Sequence, residues 1–127
     1  MFSELQVNLY VDDVERALAF YSRLGAVESF RTPAEGVPDH VEVKLAGVTL
    51  GLASVRAATE HHGLDVSAEG SPFELGLWSD NADAAWDALI GAGAVPMVEP
   101  HDLSNGLRVA WARDLDGNVV HVVQRSG

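Results

Sequence analysis

The chain has 127 residues, 47% of them apolar, which is enough for one compact domain with a real core and too little for two ordinary ones. It contains no cysteine, so disulfides, thiolate catalysis and zinc-thiolate sites are excluded, and any metal must be held by oxygen and imidazole nitrogen. Eight basic against nineteen acidic residues give a net charge of −11, which repels phosphate backbones and argues against nucleic acid as a partner. The same field attracts cationic ligands, although acidity also serves plain solubility. No run approaches the roughly 20 apolar residues of a membrane helix, and the start of the chain lacks a basic-then-apolar signal pattern. The expectation is a cytoplasmic protein with no membrane partner.

In chain order, the first segment is LQVNLYVDDVERALAFYSRLGAV, residues 5–27. Val7 and Leu9 alternate onto one strand face, with Gln6, Asn8 and Tyr10 on the other. Asp12 and Glu15 place acceptors and negative charge where a helix N-terminus has unpaired N–H groups, so a helix is expected to begin there. Val14, Ala17, Leu18, Tyr21 and Leu24 then recur at helical spacing, and Gly25 supplies the stop. Strands follow at residues 27–31, 40–46 and 48–53, the last two joined at a glycine turn containing Gly47. Residues 56–71, RAATEHHGLDVSAEGS, read as a short helix followed by a loop.

The second half repeats the first. FELGLWSDNADAAWDALIGAGAV, residues 73–95, aligns with residues 5–27 without a gap, so Gln6 meets Glu74, Tyr10 meets Trp78 and Gly25 meets Gly93. Asp80 and Asp83 open its helix, and Ala82, Ala85, Trp86 and Leu89 form the apolar face, which makes Trp86 a core residue. Strands follow at 95–99, 108–113 and 118–124, with a DLDGN turn before the last. The fold class is therefore α+β: two βαβββ repeats, about 5–53 and 73–124, joined by segment 54–72 into one domain spanning 1–127.

A tandem βαβββ repeat of this length, with VNLYVDDVERALAFYSRLG near the start and RDLDGNVVHVVQ at the end, resembles the vicinal oxygen chelate superfamily. That group includes glyoxalase I, the bleomycin-resistance proteins, extradiol dioxygenases and fosfomycin-inactivating enzymes. Leu115 stands where the family usually has proline. The resemblance implies sheets curled into cups that face one another around a cavity, with metal-using members placing a ligand on the first and last strand of each half. Aligning the glycine turns at Gly47 and Gly117 makes Gly51 and His121 equivalent, so those ligand positions would fall on Gln6, Gly51, Glu74 and His121.

The residues of that set leave several readings open. Gln6, Glu74 and His121 can ligate a divalent ion such as Zn, Ni, Mn or Fe, and three ligands plus water make a workable open site. Against this, Gly51 supplies no side chain, and the acid and histidine of the second half stand in the reverse of the glyoxalase order; no metal is the favoured reading. Alternatively, His121 is a neutral imidazole hydrogen-bonded in a half-buried strand, with Glu74 its partner across the cavity. Glu74 and His121 are also the candidates for metal-free acid–base chemistry. Tyr10, Trp78 and Trp111 can form an aromatic wall for a planar ligand, although the sequence does not pin the register of the Trp111 strand. The remaining candidates are weaker: His61 and His62 read as solvated loop residues, His40 and His101 show no evident partner, and Lys44, Arg56 and Arg108 read as solvated.

The GNxVHxV strand resembles the closing strand of bleomycin-resistance proteins. The leading expectation is therefore a homodimer that sequesters a small aromatic or cationic molecule, such as an antibiotic, in a dimeric cavity without chemistry. Gln6, Asn8, Tyr10, Glu74, Trp78, Trp111 and His121 would line it. The competing expectation is a metal-dependent lyase, isomerase or dioxygenase with Gln6, Glu74 and His121 as ligands.

Overall fold

A computed structural model describes residues 1, 3–70 and 73–125. Ser71 and Pro72, at the end of the expected connecting segment, lie outside the described residues. The chain divides into two compact units, Met1–Ala68 and Glu69–Gly127.

The first unit contains β1 (Val7–Val11), α1 (Val14–Ser22), β2 (Val27–Thr32), β3 (His40–Leu45), β4 (Val48–Ser54) and α2 (Val55–His62). Its four strands form one mixed sheet in the order β1-β4-β3-β2, with β1 parallel to β4 and the other pairs antiparallel. Alternation along β1 buries Leu9 and Val11 on the side where α1 packs, and leaves Asn8 and Tyr10 on the opposite face. The helix covers that core with Val14, Ala17, Phe20 and Tyr21. Phe20 and Tyr21 meet edge to face at 4.9 Å between ring centroids. Burying each such ring contributes about 1.5–3 kcal/mol or more relative to exposure.

Two details of α1 differ from the expectation. Its cap is Asp13, whose Oδ1 accepts from the Arg16 N–H at 3.1 Å, because a capping side chain must reach the amide three residues on and Asp12 lies one residue too early. Phe20 is buried, whereas Leu18 and Leu24 at the edges of the predicted stripe are half-buried.

The second unit contains β5 (Glu74–Trp78), α3 (Ala82–Gly91), β6 (Val95–Asp102), β7 (Leu107–Arg113) and β8 (Val119–Arg125). The sheet order is β5-β8-β7-β6, again with only the first pair parallel. Asn81 rather than Asp80 caps α3, accepting from the Ala84 N–H at 3.0 Å for the same geometric reason. Both helices end alike. Ala26 N–H donates to the Tyr21 carbonyl and Ala94 N–H to the Leu89 carbonyl, each at 3.0 Å, across Gly25 and Gly93 at φ of 101° and 105°. That left-handed turn is the one glycine adopts without penalty. The core here is made of smaller side chains, chiefly Ala82, Leu89, Val109, Ala110, Ala112, Val120 and Val122, and Trp86 is half-buried rather than enclosed.

The last turn carries buried polar structure. Asp114 Oδ1 accepts from the N–H groups of Asp116 (2.9 Å) and Asn118 (2.8 Å), and Asn118 Nδ2 donates to Asp114 Oδ2 at 3.0 Å. Among the described residues, no helix is long and apolar enough to cross a membrane.

Candidate functional site

Strand register decides which side chains share the sheet face opposite α1 or α3. In the first unit Asn8 lies opposite Gly51, and Gly51 opposite Glu42. In the second, Gly76 lies opposite His121, and His121 opposite Trp111. Gly51 and His121 thus hold the same place in their two sheets, and the register that the sequence left open puts Trp111 beside His121.

In the second unit three of the predicted residues meet. The indole of Trp111 lies parallel to the His121 imidazole, 4.2 Å between centroids and 9° between planes. Trp111 Nε1–H donates to Glu74 Oε2 at 3.0 Å, and Nδ1 of His121 stands 3.2 Å from the same oxygen. Glu74 and His121 are therefore neighbours in one sheet, on adjacent parallel strands, rather than partners across a cavity. Nε2 of His121 is buried and has no hydrogen-bond partner among the described residues. Above Gly76, between Glu74 and Trp78 along β5, a Cβ would meet nothing within 4 Å among the described residues. His101 extends the row: its ring lies 6.3 Å from Trp111, and its Nδ1 stands 2.9 Å from the Glu99 carbonyl, so it is not without partners. Trp78 is exposed but not bare, because the Arg125 guanidinium sits 3.9 Å from its ring centroid.

The first unit is arranged differently. Gln6 Nε2 donates to Asn8 Oδ1 at 2.7 Å. A Cβ on Gly51 would lie 1.9 Å from that Asn8 oxygen and 2.9 Å from His40 Cε1, so the place of the missing fourth ligand is filled by neighbouring side chains. His40, expected to lack a partner, has Nε2 3.1 Å from Glu42 Oε2. His61 and His62, expected in a loop, occupy the last turn of α2, and His61 Nε2 stands 3.6 Å from Asp39 Oδ2. All three histidines line a cavity of about 580 Å³ together with Asn8 and Tyr10. The sequence signal for this site was an alanine-bearing helix ending in paired histidines.

Lys44, Arg56 and Arg108, the basic residues weighed in the sequence, have structural partners, and so has Arg31, which was not weighed there. Arg31 bridges Glu28 at 2.6 Å and Glu15 of α1 at 2.7 Å; Arg108 bridges Asp83 of α3 and Asp102, both at 3.0 Å. Glu15 and Asp83 are equivalent in the repeat, so each helix start is tied to its sheet by one arginine. The hydrogen bond from Arg31 holds Glu28 below the usual carboxylate range, and Arg31 itself is raised, first by Glu28 and then by Glu15. Arg108 is likewise raised, by Asp83 and then Asp102. Arg56 pairs with Glu60 at 2.9 Å and Asp39 at 3.5 Å, and Lys44 donates to Thr49.

The residues do not fit the four-ligand metal pattern that the resemblance implies. Position 51 brings no donor and has no room for one while Asn8 lies over it. The Glu74 oxygen that faces His121 also accepts from Trp111. Among the described residues, no group of three or more histidine, cysteine, aspartate or glutamate side chains gathers as a metal site.

Comparison with known proteins supplies the family. Hypothetical protein SA1046 from S. aureus is similar at 23% identity, over 98% of this chain and 94% of that one, with a TM-score of 0.81. TioX from Micromonospora sp. ML1 is 23% identical over 98% and 99% of the two chains, with a TM-score of 0.74. A glyoxalase-related enzyme from Fulvimarina pelagi is 18% identical over 98% and 89%, with a TM-score of 0.81. These likenesses show a shared fold. No curated protein matches the sequence. The family model for the Glyoxalase/Bleomycin resistance protein/Dioxygenase superfamily matches residues 5–122. The chain belongs to that superfamily.

Proposed function

We propose that this chain, its two repeats acting as one domain, is a small-molecule binding protein that sequesters a planar, cationic natural product such as an antibiotic without altering it. The observation that carries the reading is the platform of Trp111 and His121, stacked in parallel and fixed to one Glu74 oxygen, beside the open space over Gly76. A flat aromatic ligand gains buried area and defined stacking against such rings, and a nearby carboxylate favours a positive charge on it. Because the rings are already held in place, little side-chain freedom is lost on binding. The net charge of −11 aids capture of cations. Trp78 would extend the surface along β5, Gln6, Asn8 and Tyr10 would form a ligand-contacting surface of their own in the first unit, and we place the active form as a homodimer whose subunits together enclose the ligand.

One observation favours the competing reading of metal-dependent lyase, isomerase or dioxygenase chemistry. Nδ1 of His121 faces a carboxylate while Nε2 has no partner among the described residues, the arrangement common among ligating histidines. Gly51 counts against it. Metal analysis of untagged protein, with thermal shifts on adding Ni, Zn, Mn or Fe(II) and on adding EDTA, separates the two. Stoichiometric metal that disappears in Glu74→Ala or His121→Ala would overturn sequestration as stated here. In the absence of such metal, saturable binding of an anthracycline or a bleomycin-type glycopeptide, with the compound recovered unchanged, supports it.

A further inference from the structure

Three of the five histidines in the chain line one cavity of about 580 Å³ in the first unit. That volume lies within the roughly 300–1,000 Å³ of ordinary small-molecule sites. Asn8 and Tyr10 of β1 and His40 of β3 form one side, and α2 forms the other, presenting Ala57 and Ala58 with His61 and His62 in its last turn. Leu64, just past the helix, adds apolar surface.

The charges around the cavity point to a cation. Asp39 is the lining carboxylate; it stands 3.6 Å from His61 and 3.5 Å from the Arg56 guanidinium. Arg56 is more than half exposed and makes its shorter contact, 2.9 Å, with Glu60. Glu42 meets only an imidazole, Nε2 of His40 at 3.1 Å, with both side chains about a quarter exposed. Three carboxylates thus stand against a single guanidinium, and the two that are less exposed, Asp39 and Glu42, are the less screened by solvent. The end of α2 adds the same sign. Its last turn, before Gly63, carries His61 and His62, and a helix C-terminus is equivalent to roughly half a negative elementary charge.

Hydrogen bonding selects the same ligand. A carboxylate only accepts, so His40 directs its Nε2 hydrogen at Glu42, which leaves Nδ1 of the neutral ring an acceptor. His61 presents Nε2 to Asp39 in the same way. With the Asp39 carboxylate and the Asn8 amide oxygen, these rings make the lining rich in acceptors, and the Tyr10 ring offers a face that attracts positive charge.

We propose that this cavity binds a small organic ammonium ion with an apolar body. The body lies against Ala57, Ala58 and Leu64, and the ammonium donates to Asp39 and the imidazoles beside it. The assignment deepens the proposed function in the first unit, since it rests on Asn8 and Tyr10 being ligand contacts there, and it is independent of the Trp111 platform in the other unit.

Histidine-ring and indole NMR signals of the full chain, titrated with benzylamine, benzyl alcohol and benzoate, test it with three ligands of similar shape and different charge. Benzylamine is expected to shift the His61 and His62 signals saturably, with the alcohol and the carboxylate binding at least about tenfold more weakly. Asp39→Asn keeps the shape of the side chain and is expected to lose at least about tenfold in benzylamine affinity. His62→Lys, at an exposed position, adds positive charge beside the cavity without touching the core and is expected to lose at least about threefold. No saturation by roughly 10 mM benzylamine, equal or tighter binding of the alcohol or the carboxylate, a shift confined to the Trp111 indole, or unchanged affinity in either variant would overturn the proposal. Failure of the antibiotic titrations touches none of these outcomes, so the two readings fail separately.

Discussion

The two halves of the chain carry the same strands in the same order, yet on the sheet face opposite α1 or α3 the central row is written in reverse. In the first half the side chain stands on the first strand, as Asn8, and the glycine on the last, as Gly51; in the second the glycine is Gly76 and the side chain is His121. The third strand contributes Glu42 to one row and Trp111 to the other. The consequence is physical. Asn8 folds over its glycine and closes that space, whereas no described residue comes within 4 Å of a Cβ at Gly76, and His121 turns its face to Trp111 instead. A repeat can therefore keep its backbone while different side chains at three positions of one row turn a filled floor into an open platform.

The difference can be probed by substitutions, beginning with the turns that set each row. The second-half turn hangs on the buried Asp114, which accepts several hydrogen bonds, while the first half turns through Ala46 and Gly47. Asp114→Ala should lower stability by about 3 kcal/mol in urea unfolding, because it strands buried donors. A loss below about 1 kcal/mol would mean the turn does not organise its row. Next in size, Trp111→Ala should cost a bound planar ligand roughly 30-fold in affinity, or about 2 kcal/mol by calorimetry, while Tyr10→Ala in the other half costs less.

The glycines themselves give the sharpest contrast at smaller magnitude. Gly51→Val must displace Asn8 and should destabilise the protein by about 1–2 kcal/mol, whereas Gly76→Val enters open space and should change stability by less than about 0.5 kcal/mol. Gly76→Val should nonetheless weaken ligand binding, since it fills the place beside the platform. Equal stability effects at the two positions would erase the distinction drawn between the halves.

The smallest effect concerns the exposed arginine strut of the first half. Glu28 is lowered by its bond to Arg31, so its share of stability is present above the unfolded carboxylate pKa and is lost as pH falls through the depressed folded value. Arg31→Gln should move the Glu28 titration upward by NMR and remove that acid-side dependence, and an unmoved titration would show the pair to be idle.

Much of this organisation was legible in the residues. Matching helix caps, glycine stops and strand alternation revealed both βαβββ repeats, because those signals are local and recur at a fixed offset. The equivalence of Gly51 and His121 followed from the turns alone. What stayed hidden depended on pairing between distant strands. The bulges of β6 shift its register, and only the β7–β8 ladder places Trp111 beside His121. The first-half cavity was missed because α2 had to be folded back before His40, forty residues into the chain, could meet His61 and His62. Caps moved by one residue, to Asp13 and Asn81, since two neighbouring acceptors in each stretch satisfy the same sequence rule and only geometry chooses between them.

The central claim, that the Glu74, Trp111 and His121 row works as a metal-free ligand platform, is tested most directly by one titration. Protein stripped with EDTA is titrated with an anthracycline and a bleomycin-type glycopeptide while the Trp111 indole N–H signal is followed. A saturable shift of that signal by at least one compound, recovered chemically unchanged, is the expected result. Binding that appears only after a divalent metal is restored, or a compound returned altered, would contradict it.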